Sequence, residues 1–190
     1  MKKATKQDIE IIKQAFIENY SDAVTELNYT NDYELLIAII LSAQCTDKRV
    51  NIITPALFAK YPSVKELAVA DLEDVKALLN TCSFFNNKSK NIIKMAQSVL
   101  MDYDGEIPHD QKKLMKLAGV GNKTANVFMI EFEQANLMAV DTHVFRVSHR
   151  LGLSDGKTVD ITEADLVKKL KGHDLHIFHQ AMVLFGRYIC

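Results

Sequence analysis

The chain has 190 residues, of which 48% are hydrophobic and 25% are charged, which allows one sizeable core or two smaller ones and excludes an intrinsically disordered chain. A formal net charge of −1 at pH 7 disfavours a domain that holds nucleic acid through high overall positive charge, so any such contact must depend on local charge. The longest apolar run, Leu35–Leu41, is far shorter than the ~18 residues of a membrane span, and no apolar signal segment follows the charged N-terminus, so we expect a cytosolic protein without a membrane partner.

Helix signals recur along the chain, whereas strand signals are scarce. Asn31–Glu34 and Ser63–Glu66 have the form of capping boxes, which mark helix N-termini. The first box opens the apolar segment from Leu35 to Ala43; periodicity alone would also allow a buried strand there, but the box and the length favour a helix. Further helices are predicted from Asp71 to Leu79, from Asn86 or Asn87 to about Met101, from Pro108 and Asp110, which open a helix, to near Ala118, from Asn122 onward, from Asp141 to His149, from Val159 to Lys171 and from Asp174 to Phe185. The sequence therefore predicts an all-α fold of about ten short helices.

One segment, from Leu114 to Val127, has the pattern of two helices joined by a tight turn. Gly119 and Gly121 permit backbone conformations that are closed to other residues, and Val120 between them is predicted to insert into the core. A new helix begins next to Lys123, and its free N–H groups suit a phosphate. Such a contact positions a nucleic-acid backbone without reading its sequence. Taken alone, the pattern is equally compatible with a plain helix–glycine–helix corner.

Several segments, in order along the chain, resemble the endonuclease III family of DNA glycosylases. The residues that carry the resemblance are Leu41–Asp47, Asn86–Ile92, the hairpin segment Leu117–Asn126, Ala139–Val147 and Phe185–Cys190. The resemblance extends roughly from Glu26 to the end of the chain. It implies two all-helical domains: a six-helix barrel over residues 25–135 that contains the helix–hairpin–helix, and a second domain formed by residues 1–24 and 136–190.

The resemblance implies that Lys123 is the nucleophile. In this family the residue at its position attacks C1′ of the damaged nucleotide and displaces the base; a Schiff base forms, and β-elimination breaks the strand 3′ to the lesion. This chemistry needs an amine that is neutral part of the time, whereas free lysine, with a pKa of ~10.4, is almost entirely charged at pH 7. The first turn of a helix and partial burial both disfavour a charged amine. An isolated hairpin lysine would more often contact phosphate, and the flanking resemblance favours catalysis.

Asp141 has two compatible interpretations. It is an ordinary N-cap candidate for the helix that follows. The resemblance adds a catalytic role, in which its carboxylate stabilises the positive charge that develops on the sugar and assists proton transfer around the lysine. Lys123 and Asp141 are expected to face each other across a cleft between the two domains.

The resemblance also implies contacts with DNA. Gln44 corresponds to a residue that enters the gap left by an extruded base, and Phe84 stands where many relatives have a leucine that wedges the opposite side. Phe84 is equally compatible with a place in the core. The other residues expected to contact DNA lie in the hairpin or at helix starts: Gly119, Val120, Gly121, Thr124 and His143. For His143 a purely structural role is the simpler interpretation.

Cys45, Cys82 and Cys190 have no regular spacing, so they predict neither a disulfide framework nor a closed metal site. Members of the family end in four cysteines that hold a [4Fe–4S] cluster, and Cys190 matches the first of them. One thiolate cannot hold a cluster that needs four. We therefore expect that the chain as given binds no cluster, either because it is a truncated form or because it ends there naturally; the break directly after the first ligand favours truncation.

The function implied is that of a bifunctional DNA N-glycosylase and AP lyase that removes oxidised pyrimidines in base excision repair. Its partner would be double-stranded DNA with a damaged or abasic site, bound by a monomer in the bacterial cytoplasm, at the nucleoid. One alternative is a glycosylase specific for mismatched adenine or thymine, but such relatives typically lack the lysine and have a Gln-Gln-Thr stretch where this chain has Ala43-Gln44-Cys45-Thr46. Another is a noncatalytic helix–hairpin–helix DNA-binding module, which the joint presence of Lys123 and Asp141 disfavours.

Overall fold

A computed structural model describes residues 3–190, and this part of the chain contains helices and no strand. The predicted all-α fold is therefore confirmed. The helices of the described residues are α1 (Lys6–Tyr20), α2 (Asp32–Ser42), α3 (Asp47–Lys60), α4 (Val64–Ala68), α5 (Leu72–Leu79), α6 (Phe85–Asp102), α7 (Gln111–Leu114), α8 (Asn122–Glu133), α9 (Thr142–Arg150), α10 (Val159–Lys169) and α11 (Leu175–Tyr188).

The chain divides into two compact units, and the first, here called the hairpin unit, comprises Glu26–Phe132. Its centre is α2, in which every residue from Leu35 to Leu41 is buried. A helix that is apolar on all sides is stable only when other helices surround it, and α3 and α6 both pack against α2. Helices α4 and α5 in turn pack against α6, so the core of this unit forms around α2 and α6.

The second unit, here called the terminal unit, comprises the described residues up to Thr25 together with Glu133–Cys190. Helix α11 packs against both α1 and α9, and α10 packs against α9. The core of this unit includes Phe16 of α1 and Phe178 of α11, whose rings meet edge to face with centroids 6.3 Å apart. The long N-terminal helix is thus held by the C-terminal helices.

Most predicted helix starts are confirmed, because their caps form as the sequence indicates. The side chains of Asn31, Asp71, Asp110 and Asp141 each accept a hydrogen bond from a backbone N–H in the first turn of the helix that follows. Such bonds satisfy donors that a helix start otherwise leaves without partners.

The prediction for the start of α6 was wrong. Asn86 and Asn87 lie inside the helix, and its N-cap is Phe84, which has a left-handed backbone and no side-chain cap bond. The reason is that Cys82 and Lys88 hold this corner against the end of α2. These tertiary contacts override the local preference of asparagine for a cap position. Two other details differ: α7 ends at Leu114 rather than near Ala118, and α3, which has Pro55 in its interior, was not predicted.

Among residues 3–190, the structure shows no helix that is both long enough and apolar enough to cross a bilayer.

Replacing Asn31 by alanine should lower the free energy of unfolding by about 1 kcal/mol, because the N–H of Glu34 then loses its cap. Asn86→Ala is the matched control: this exposed residue lies within the first turn of α6, and alanine is the better helix former, so stability should stay equal or rise by a few tenths of a kcal/mol. Urea unfolding measures both. A larger loss for Asn86→Ala than for Asn31→Ala would contradict this assignment of the caps.

Candidate active site and nucleic-acid interface

The hairpin between α7 and α8 is fixed to the core by apolar side chains. Leu114, Leu117 and Val120 are all buried, so the turn is anchored at both of its ends. The side chain of Val120 inserts into the core as predicted, which leaves only its backbone for a ligand. The N–H of Val120 is used internally, since it donates to the carbonyl of Leu117 over 3.1 Å.

The two hairpin glycines have different roles, which corrects the sequence prediction. Gly119 has a φ of +81°, and a Cβ placed there would lie 3.0 Å from Cβ of Asn91. Gly121 has no positive φ, and no atom lies within 4 Å of the position its Cβ would take. The turn therefore requires glycine at Gly119. At Gly121 the backbone would accept another residue, and glycine only leaves the surface of the turn without a side chain.

The start of α8 is open towards solvent. The N–H groups of Gly121 and Asn122 have no hydrogen-bond acceptor among the described residues, as is usual for a helix N-terminus without a side-chain cap. Lys123 is the second residue of the helix and is exposed, so the partial burial considered from the sequence is absent. Thr124 follows it and is half-buried. Free N–H groups and an amine thus lie on one short stretch of backbone.

An amide network missed by the sequence reasoning holds this stretch in place. Nε2 of Gln111, at the start of α7, donates to Oδ1 of Asn122 over 3.2 Å and also to Oδ1 of Asn126. Asn126 is only 2% exposed. Because the network joins the start of α7 to the first turns of α8, it fixes the direction of the helix that carries Lys123. The three amide residues gave no recognisable motif in the sequence.

The positive charge that the near-neutral chain would need for a polyanion is concentrated at the hairpin. Residues 111–126 include four lysines and no acidic residue. The lysines are all exposed and are Lys112, Lys113, Lys116 and Lys123. A local cluster of this kind attracts phosphates even when the net charge of the chain is close to zero.

In the terminal unit, Asp141 caps α9. Its Oδ1 accepts from the N–H of Val144 over 2.7 Å, and Oδ2 has no hydrogen-bond partner among the described residues. The side chain is half-buried. The cap bond fixes the carboxylate group and leaves one oxygen available for another partner.

His143 lies two residues further on and is held by Arg146. The guanidinium of Arg146 donates to Nδ1 of His143 over 3.2 Å and to the carbonyl of Gly186 over 2.6 Å. Because arginine only donates, Nδ1 acts as the acceptor, and in the neutral ring the proton is on Nε2. The approach of α11 requires Gly186, where a Cβ would lie 2.9 Å from Cβ of His143. His143 is thus presented as a donor.

Gln44 and Phe84 share an unusual backbone. Both are exposed, and their φ angles are +56° and +57°, a region that costs a residue with a side chain roughly 1–2 kcal/mol. Phe84 is 62% exposed, so the interpretation as a core residue was wrong. Backbone outliers of this kind cluster at functional sites.

Comparison with known proteins identifies the family. Residues 37–171 match the model of the HhH-GPD superfamily of base excision DNA repair proteins. Endonuclease III of Rickettsia conorii is 42% identical over 184 residues, which cover 97% of this chain and 88% of that one. A solved structure of a trapped endonuclease III–DNA covalent intermediate superposes with a TM-score of 0.92 at 40% identity, covering 97% of this chain and 87% of that one. The chain belongs to the endonuclease III family.

A thermostable thymine-DNA glycosylase has the same fold, with a TM-score of 0.82 at 19% identity, covering 98% of this chain and 89% of that one. At that identity the likeness concerns the fold alone. The identity to endonuclease III is about twice as high.

Endonuclease III enzymes carry a [4Fe–4S] cluster, and the cysteines of the described residues do not fit one. Cys190 is a partly buried thiol, and its sulfur accepts from the guanidinium of Arg150 over 3.2 Å. Cys45 and Cys82 belong to the hairpin unit. Within residues 3–190, no group of three or more His, Cys, Asp and Glu could hold a metal ion, and a cluster needs four ligands.

The two glycines provide a matched test of the hairpin. Gly119→Ala should lower the free energy of unfolding by about 1–2 kcal/mol, because alanine is disfavoured at positive φ and its Cβ crowds Asn91. Gly121→Ala should change stability by less than about 0.5 kcal/mol, but its methyl group should weaken binding to duplex DNA. Urea unfolding and fluorescence anisotropy with a labelled duplex measure the two quantities. Equal losses of stability in both variants would contradict the distinction.

Proposed function

We propose that this endonuclease III family member is a bifunctional glycosylase and AP lyase that removes oxidised pyrimidines from duplex DNA, with Lys123 as the nucleophile. The observation that carries the proposal is the place of Lys123: it is exposed in the first turn of α8, beside N–H groups without acceptors. The same stretch therefore binds a phosphate and brings an amine to the adjoining sugar. The identity to endonuclease III over 97% of the chain supports this assignment.

The reaction begins when the neutral amine of Lys123 attacks C1′ of the damaged nucleotide. The bond from C1′ to the base breaks, and the base leaves with the bonding electrons and takes up a proton. Ring opening then gives a Schiff base between Nζ and C1′. Loss of a proton from C2′ expels the 3′ phosphate by β-elimination, and water finally releases the amine.

We propose that Asp141 acts on the same nucleotide. Its carboxylate is held by the cap bond to Val144, so the orientation of Oδ2 is fixed before substrate binds. Fixed negative charge close to a sugar that becomes cationic stabilises the transition state more than the ground state. The same oxygen is suited to take up and return the protons that move around the amine.

The remaining site residues are proposed to bind the DNA around the lesion. The N–H groups of Gly121 and Asn122 would receive a phosphate, with Gly119 shaping the turn and Thr124 contributing its hydroxyl. His143 would donate from Nε2 to a second phosphate. Gln44 and Phe84 would fill the space left by the extruded nucleotide, since an enzyme that acts on a base must take it out of the stack.

The partner is therefore duplex DNA with a damaged or abasic site, bound by a monomeric enzyme in the bacterial cytoplasm. The rival assignment, a glycosylase for mismatched adenine or thymine, is disfavoured by the amine at Lys123. The position of Cys190 as the first of four cluster ligands stays a prediction, and no step of the proposed reaction needs the cluster.

Borohydride trapping tests the nucleophile. With a duplex that contains an abasic site or thymine glycol, the wild-type protein should form a covalent adduct, because the reductant fixes the Schiff base. Lys123→Gln should form none. Lys116→Gln is the matched control, since it removes the same charge from the hairpin without removing the nucleophile. Adduct formation by Lys123→Gln, or no adduct with the wild type at low salt, would refute the proposal.

Substitution of Asp141 separates its two roles. Asp141→Asn keeps an oxygen for the cap, so stability should change by less than about 0.5 kcal/mol, whereas single-turnover excision should fall about 100-fold or more because the charge is lost. Asp141→Ala should lose about 1 kcal/mol of stability in addition. Wild-type excision by Asp141→Asn would show that the residue is only a cap.

A further inference from the structure

Lys88 is a buried lysine to which the proposed reaction assigns no role. It is the fourth residue of α6 and is only 6% exposed. Burial of an ammonium group is costly unless every proton finds a partner. The other lysine that is buried among residues 3–190, Lys13, binds the exposed carboxylate of Glu10 over 2.8 Å. Lys88 forms no ion pair with the described residues, so its partners must be of another kind.

The ammonium group of Lys88 binds the end of α2. Nζ donates to the carbonyl of Leu41 over 2.7 Å and to that of Ala43 over 2.6 Å. The last carbonyls of a helix have no partner within it and carry the negative end of the helix dipole. Ala43 is the residue directly before Gln44, so one of the two bonds fixes the peptide from which Gln44 emerges.

The third partner of Lys88 is on the other side, in the segment that leads to Phe84. Nζ lies 3.4 Å from Sγ of Cys82, and that thiol in turn donates to the carbonyl of Leu41 over 3.6 Å. Burial raises the pKa of the Cys82 thiol, so it stays protonated at neutral pH and does not neutralise the ammonium. In addition, the backbone N–H of Lys88 donates to the carbonyl of Phe84 over 3.1 Å.

Lys88 therefore connects the two exposed residues with left-handed backbones. Gln44 follows α2 and Phe84 precedes α6, and the pair lies 40 residues apart in the chain. A left-handed residue with a side chain persists only where its surroundings determine the conformation. The ammonium group of Lys88 provides that determination on both sides: it binds the carbonyl of Ala43, directly before Gln44, and contacts Sγ of Cys82, two residues before Phe84.

We propose that Lys88 is a positioning residue that holds Gln44 and Phe84 ready for insertion into DNA. The three contacts of Nζ with Leu41, Ala43 and Cys82 are called the clamp here. The inference rests on the proposed function only in that Gln44 and Phe84 enter the duplex, because the clamp itself is a property of the free protein. Methionine is close to lysine in length and can be buried, but it cannot donate to the carbonyls. Lys88→Met should therefore release both loops while the core stays filled.

Amide hydrogen exchange of the free protein tests the clamp without reference to activity. The reporters are the N–H of Cys45, which is bonded to Ser42, and that of Phe85, which is bonded to Cys82. In Lys88→Met both should exchange at least about tenfold faster. Lys94→Met, an exposed lysine of the same helix, should leave both unchanged. Wild-type exchange rates in Lys88→Met would overturn the inference.

The functional part is tested by single-turnover excision from a thymine glycol duplex that has 2-aminopurine opposite the lesion. Lys88→Met should reduce both the excision rate and the fluorescence rise that reports unstacking by at least about tenfold, and Lys94→Met should change neither. In a Gln44→Ala, Phe84→Ala background, Lys88→Met should have almost no further effect. A full additional loss there would show that Lys88 acts otherwise and would overturn the positioning role.

These measurements distinguish a failure of the proposed function from a failure of the clamp. If the wild type neither excises nor traps, the proposed function fails, and the exchange experiment still decides whether the clamp exists. If Lys88→Met does not fold, Lys88→Gln takes its place. The glutamine side chain is shorter and can reach one of the two carbonyls at most. We therefore expect amide exchange rates between those of the wild type and those of an unrestrained loop. Wild-type exchange rates in Lys88→Gln would overturn the clamp.

Discussion

The complete burial of α2 is the constraint on which the interface of the hairpin unit depends. Ile40, near the end of this helix, lies under the hairpin: a Cβ at Gly119 would be 3.4 Å from its Cγ2. One residue later, the carbonyl of Leu41 receives Lys88. The same turn of a buried helix therefore supports both the hairpin turn and the segment that leads to Gln44. A shift of α2 would displace both, so its apolar residues contribute to function as well as to stability.

The sequence was sufficient to predict those features that depend on neighbouring residues. Asn31, Asp71, Asp110 and Asp141 were recognised as caps because a cap needs only a short polar side chain followed by a helical pattern. The hairpin was recognised for a similar reason, since the apolar spacing and the glycines are close together in the chain.

Features that depend on distant contacts were missed or misplaced. Phe84 is the N-cap of α6, although Asn86 and Asn87 are better cap residues by type, because the corner is held to the end of α2 through Lys88 and Cys82. Likewise, nothing in Gly-Val-Gly distinguishes its two glycines. Only the position of Asn91 against Gly119 shows which of them the turn requires. Buried amide and ammonium networks have no periodicity, and pattern analysis cannot find them.

The starts of α8 and α9 show two opposite uses of the same backbone feature. Both helices begin with N–H groups that need an acceptor. At α9 the chain supplies its own acceptor, Oδ1 of Asp141. At α8 the N–H groups of Gly121 and Asn122 are left open, and four lysines nearby make the region attractive to an anion from outside. The open helix start is the proposed binding site of a substrate phosphate, whereas the closed one orients a carboxylate. The cap bond of Asp141 is therefore compatible with the proposed catalytic role, because it immobilises the carboxylate and leaves its second oxygen available.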